Sequence, residues 1–103
     1  MDPLATIKRL TLNRRVIFTV KAQEEIISDS LTEELVYESI MNAPFISKTI
    51  RSRNPLNHKI EYLYIIKGMT FDGLDIYTKG KILEKLERQV FYVLISSKKN
   101  TDI

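Results

Sequence analysis

Residues 88–99 read Arg-Gln-Val-Phe-Tyr-Val-Leu-Ile-Ser-Ser-Lys-Lys, and the reading of this stretch decides the fold. Every position from Val90 to Ser96 is apolar, aromatic or small, with β-branched and aromatic types dominating, and a pair of lysines ends the run. A strand buried on both faces has this composition, although a short buried helix shares its lack of periodicity. As a central strand it requires neighbours on both sides, and it delivers Lys98 to the rim of the surface that the sheet makes.

The neighbours lie just upstream. Residues 74–82 alternate, with Leu74, Ile76 and Thr78 on one face and Asp75, Tyr77, Lys79 and Lys81 on the other. Residues 60–69 are rich in strand formers, residues 45–53 mix β-branched types with Lys48, Arg51 and Arg53, and Asp72-Gly73 carries a hairpin signal. Leu83–Glu87 reads as a charged loop or a frayed helical turn.

The first half of the chain has the spacing of helices. Asp2-Pro3 is a helix start and predicts a helix to about Leu12. Val16–Phe18 is a short extended piece or a lead-in to the next helix, which runs from Thr19 to about Ser28. Ser30 or Thr32 caps a third helix, with Glu33 and Glu34 in its first turn and an apolar stripe of Leu35, Val36, Ile40 and Met41, ended by Asn42-Ala43-Pro44. The expectation is an α+β domain in which N-terminal helices pack on a four-stranded, mainly antiparallel sheet. A single domain spans residues 1–103, with an N-terminal helix or arm over 1–15, helices plus sheet over 16–99 and a tail at 100–103.

Composition narrows the function classes. With 103 residues, 44% hydrophobic and 28% charged, the chain has material for one core. It has no cysteine, so disulfides and thiolate metal sites are excluded. No apolar run approaches the roughly 20 residues of a membrane span, and the N-terminus lacks the apolar core of a signal peptide, which places the protein in the cytoplasm. The net charge of +3 is unevenly spread. Residues 1–45 hold five Lys/Arg against seven Asp/Glu, whereas residues 46–103 hold eleven against six. The basic half is the expected sheet, and a polyanion such as RNA suits it; solvated lysines on an ordinary strand face are the plainer alternative.

Most chemistry is absent from the pattern. His58 is the single histidine, in a turn-rich loop, and the acids form no compact ligand set, so no metal and no cofactor are expected. The three glycines are scattered, and Glu24-Glu25 and Glu33-Glu34 read as solvated helix faces. What remains is Tyr77, Lys79 and Lys81 on one strand face, Lys98 at the end of another strand, and Lys48, Arg51, Arg53 and Lys67 nearby. Metal-free RNA cleavage needs a base for the 2′-hydroxyl, an acid for the leaving oxygen and a cation for the phosphorane charge, and crowded tyrosine, lysine and arginine side chains supply all three.

The order of pieces also carries a resemblance. Lys21-Ala22 to Ile27, Leu31-Thr32-Glu33-Glu34-Leu35-Val36, Gly68-Met69-Thr70-Phe71-Asp72-Gly73 and Leu94-Ile95-Ser96 follow one another as do the motifs of a small bacterial domain-of-unknown-function family related to the MqsR/RelE-type mRNA interferase toxins. The resemblance runs from Val16 to Lys98. Ile76-Tyr77-Thr78-Lys79 and Ile95-Ser96-Ser97-Lys98 match the strands that supply functional tyrosine and lysine in the MqsR type, and its first-strand lysine falls within one residue of Lys48. The histidine of the family's first helix is Lys21 here, and the glutamine of the following strand has no counterpart near Glu61 and Tyr62. The resemblance implies an endoribonuclease toxin of a toxin–antitoxin pair, with Tyr77, Lys79 and Lys98 catalytic; the remaining cations of the expected sheet, Lys48, Arg51, Arg53, Lys67 and Lys81, are expected to bind RNA. Its implied partners are mRNA, on or off the ribosome, and a cognate antitoxin protein. The alternative is a non-catalytic RNA- or protein-binding module that keeps the toxin-like fold.

Overall fold

The computed structural model describes residues 2–101; of the tail expected at 100–103, the last two residues lie outside the described residues. Three helices precede most of the sheet: α1 (Pro3–Leu12), α2 (Val20–Ser28) and α3 (Glu33–Asn42). Each starts where the sequence supplies an oxygen for an orphan amide: Asp2 accepts from Leu4 N, Thr19 from Ala22 N and Thr32 from Leu35 N. Among the described residues no helix is long and apolar enough to cross a membrane.

The sheet has five strands: β1 (Val16–Phe18), β2 (Lys48–Arg53), β3 (Ile60–Met69), β4 (Asp75–Lys85) and β5 (Arg88–Lys99), in the spatial order β1-β5-β4-β3-β2. The expected four-strand count is therefore one short. Val16–Phe18 pairs in parallel with Tyr92–Leu94, which makes the sheet mixed, while every other pairing is antiparallel. Residues 83–87 also differ from the reading as a loop or helical turn. β4 runs on to Lys85, and only Leu86 and Glu87 turn the chain, both with positive φ, before Lys85 pairs with Arg88.

β5 is interior as expected, but it is not buried on both faces. Tyr92 and Leu94 lie fully buried under the helices, whereas Phe91, Val93 and Ile95 are half-exposed. Beyond β1, α2 takes over the edge of β5: Asp29 accepts the Lys99 amide at 2.8 Å and Glu25 the Ser97 amide at 3.1 Å. Side-chain carboxylates thus stand where a further strand would supply carbonyls, and the edge is closed.

All three helices pack on one face of the sheet. Ile7, Leu10, Ala22, Ile26, Val36 and Ile40 meet Tyr64, Ile66, Ile76, Tyr92 and Leu94 there. Gly68 sets the closeness of α3 to the sheet, and Gly80 makes room for the Tyr92 ring within the core. A Cβ at Gly68 would stand 1.8 Å from the Ser39 carbonyl oxygen of α3, and one at Gly80 would stand 2.6 Å from Tyr92 Cζ. Among the described residues no helix packs on the opposite face, which is built from the alternate residues of the same strands.

Candidate functional site

The open face is where the sequence-predicted residues fall. Period-two geometry puts Tyr77, Lys79 and Lys81 on it from β4, with Ile76, Thr78 and Gly80 between them buried against the helices. The ladders then fix their neighbours. Lys67 pairs with Tyr77 and Tyr77 with Lys98, so one row across β3, β4 and β5 reads Lys67, Tyr77, Lys98. The next row reads Lys48, Ile65, Lys79, Ser96.

Tyr77 and Lys98 are in contact. The Lys98 Nζ lies 5.4 Å from the centroid of the Tyr77 ring, within the range of an attractive ammonium–aromatic interaction. Between Lys79 and Gly80 the β4–β5 register slips by one residue, leaving Ile95 without a partner. This bulge keeps both Ser96 and Lys98 on the open face, while Leu94 returns to the core.

Lys81 occupies the same face and is partly neutralised, because its Nζ lies 3.2 Å from Glu61. A hydrogen bond from the Asn54 side chain, and then the one from Lys81, hold the Glu61 carboxyl below the ordinary glutamate range. Here β3 and β4 part: their pairing stops at Tyr64 and Gly80 although both strands continue, and a hollow of about 390 Å³ opens between the hairpins, lined by Tyr62, Tyr64, Lys81 and Ile82 among others.

Arg51 and Arg53 do not join the lysines. They pair with Tyr62 and Ile60, which puts both on the opposite face of β2 from Lys48, and Arg53 donates to the His58 carbonyl at 3.1 Å. Of the eight residues named from the sequence, Lys48, Lys67, Tyr77, Lys79, Lys81 and Lys98 share one face of the sheet, and Arg51 and Arg53 lie on the other. His58 is exposed in the β2–β3 turn, away from this row. Among the described residues no group of three or more His, Cys, Asp or Glu side chains is placed to hold a metal ion.

One residue of the site differs from its reading as solvated. Glu25, which the sequence presents as part of an exposed helix face, has a side chain only 20% exposed. Its Oε1 accepts from Ser96 Oγ at 2.8 Å as well as from the Ser97 amide, and its Oε2 lies 4.0 Å from Lys98 Nζ. No spacing within α2 signals this role, since the partners lie about seventy residues away on β5. Lys21 is exposed on the same helix.

Comparison with family models, with curated proteins and with solved structures returns no match to this chain.

Proposed function

We propose that the open face is the active surface of a metal-independent endoribonuclease of the RelE/MqsR type, acting in the cytoplasm as the toxin of a toxin–antitoxin pair. The observation that supports this reading is the row Lys67, Tyr77, Lys98 with Lys79 next to it on the same uncovered face. It brings an acid–base group and several cations to one surface. In the proposed reaction the ribose 2′-oxygen attacks the adjacent phosphorus as the 2′-hydroxyl proton passes to Lys79 as base. The P–O5′ bond breaks, and the 5′-oxygen receives a proton from the Tyr77 hydroxyl. The products are a 2′,3′-cyclic phosphate and a free 5′-hydroxyl, with no net change in oxidation state. Lys98 and Lys67, on either side of Tyr77, stabilise both the phosphorane charge and the tyrosinate formed when the proton leaves. Lys48 and Lys81 hold flanking phosphates.

A binding module with the same face and no chemistry is the second reading, and the half-exposed Ile65, Val93 and Ile95 beside the lysines favour it. Expression in bacteria without an antitoxin separates the two. The nuclease arrests growth, and Tyr77→Phe or Lys98→Ala relieves the arrest at equal protein level. Unimpaired growth on expression of the wild-type chain favours the binding module.

A further inference from the structure

We infer that Glu25 is a positioning residue, whose carboxylate holds the Lys98 ammonium over the Tyr77 ring; the catalytic consequence rests on the nuclease reading of the open face. The geometry divides the carboxylate between two tasks. Oε1 takes both donors of the β5 edge, the Ser96 hydroxyl at 2.8 Å and the Ser97 amide at 3.1 Å, which leaves Oε2 facing Lys98 at 4.0 Å. Asp29, one helical turn further on, closes the same edge at Lys99 through a single bond. Covering the edge requires only an acceptor, which an amide also provides. Facing a lysine requires the charge.

Lys98 needs such a restraint. Its side chain is 47% exposed, and a long flexible stem of this kind samples many rotamers unless something selects one. The Tyr77 ring, at 5.4 Å, and the Glu25 carboxylate, at 4.0 Å, both contact the ammonium. The two contacts come from different elements, β4 and α2. Glu25 is itself fixed by Ser96 and Ser97, so the constraint is passed from the backbone of β5 to the end of its own lysine. A solvent-exposed ion pair adds little stability, and the value of this one lies in where it puts the ammonium.

The test uses the full chain and compares wild type with Glu25→Gln and Glu25→Asp. Glutamine keeps the acceptor for Ser96 and Ser97 and removes the charge. The Lys98 ε-methylene protons adjoin an ammonium 5.4 Å from the Tyr77 ring centroid and are expected to resonate upfield of their position in a Tyr77→Leu reference. The expected result is that Glu25→Gln melts with wild type yet loses the upfield shift, that Glu25→Asp loses part of it, and that molar salt erases it in the wild-type protein without any substitution. On RNA, kcat of Glu25→Gln falls about 10–100-fold with KM little changed, as small misplacements of a reacting group do. An upfield shift absent from wild type, or one that survives both Glu25→Gln and high salt, overturns the inference. Intact RNA with wild type, together with a shift that responds to Glu25→Gln, instead retires the nuclease reading and leaves the positioning of Lys98 standing.

Discussion

Lys98 stands directly across from Tyr77 in the β4–β5 ladder, and its Nζ lies 5.4 Å from the centre of the tyrosine ring on the face of the sheet that no helix covers. Two residues along β4, Lys79 shares that face, and Lys67 flanks Tyr77 on the other side. A tyrosine thus lies between two lysines across this face.

Loss of either member of the pair should act on rate and spare the fold. Both side chains project from the open face, so Tyr77→Phe and Lys98→Ala are expected to leave the melting temperature close to wild type while lowering cleavage about 10²–10³-fold, the usual scale for a transition-state donor. Parallel thermal melts and single-turnover assays check this. A melting temperature that falls in step with activity would make Tyr77 a packing residue.

The salt dependence of RNA binding should map the face. Removing one lysine–phosphate pairing from a single-stranded complex reduces the slope of log K against log salt by about 0.7. Lys67→Ala and Lys48→Ala are expected to show that reduction, and Arg51→Ala to show none, because Arg51 lies on the reverse of β2. Equal effects of Arg51→Ala and Lys67→Ala would mean that RNA wraps the β2 edge.

Gly80 and Gly68 should resist substitution for steric reasons. An alanine at residue 80 brings its Cβ to 2.6 Å from Tyr92 Cζ and 2.8 Å from the Val93 carbonyl oxygen, and one at residue 68 brings it to 1.8 Å from Ser39 O. Overpacking of this kind costs about 1–3 kcal/mol. The cost is expected to be larger at residue 68, where helix backbone stands at 1.8 Å, than at residue 80, where the nearest atom is a ring carbon at 2.6 Å. Urea titrations give the comparison.

Alkaline pH should unfold the protein through its buried tyrosines. Burial raises the ionisation of Tyr92, Tyr64 and Tyr37 above the ordinary tyrosine value, with nearby Tyr62 adding at Tyr64 and Glu33 at Tyr37. Below about pH 10 these groups are protonated in both states and contribute no slope. Above it the unfolded chain loses protons that the folded chain keeps, so stability falls with pH, by about 1.4 kcal/mol per unit for a fully buried group such as Tyr92. Among the described residues its hydroxyl finds no hydrogen-bond partner. Tyr92→Phe is therefore expected to cost little at neutral pH and to flatten the alkaline loss. An unchanged slope would rule out Tyr92 as its source.

Much of the site was legible in the sequence, because strand alternation places Tyr77, Lys79 and Lys81 on one face whatever else the chain does, and because the long apolar run at 90–96 demanded an interior position for β5. The same rule, applied to β2, separates Lys48 from Arg51 and Arg53, so alternation alone is enough to divide that group. Other features had no local signal. Three residues of β1 are too few to show a period, and their strand character comes from the pairing with Tyr92–Leu94. The Leu86-Glu87 turn lacks the glycine or asparagine that positive φ normally attracts. Glu25 resembles any exposed helix acid until the fold brings β5 beside it.

The most direct measurement of the nuclease reading is the incubation of purified protein with a 5′-labelled RNA in buffer containing a chelator, followed by analysis of the product ends. The expected result is cleavage that persists without divalent metal, yields 2′,3′-cyclic phosphate ends and disappears in Tyr77→Phe and Lys98→Ala. Intact RNA with the wild-type protein, or cleavage undiminished in both variants, would contradict the assignment of the open face as a catalytic surface.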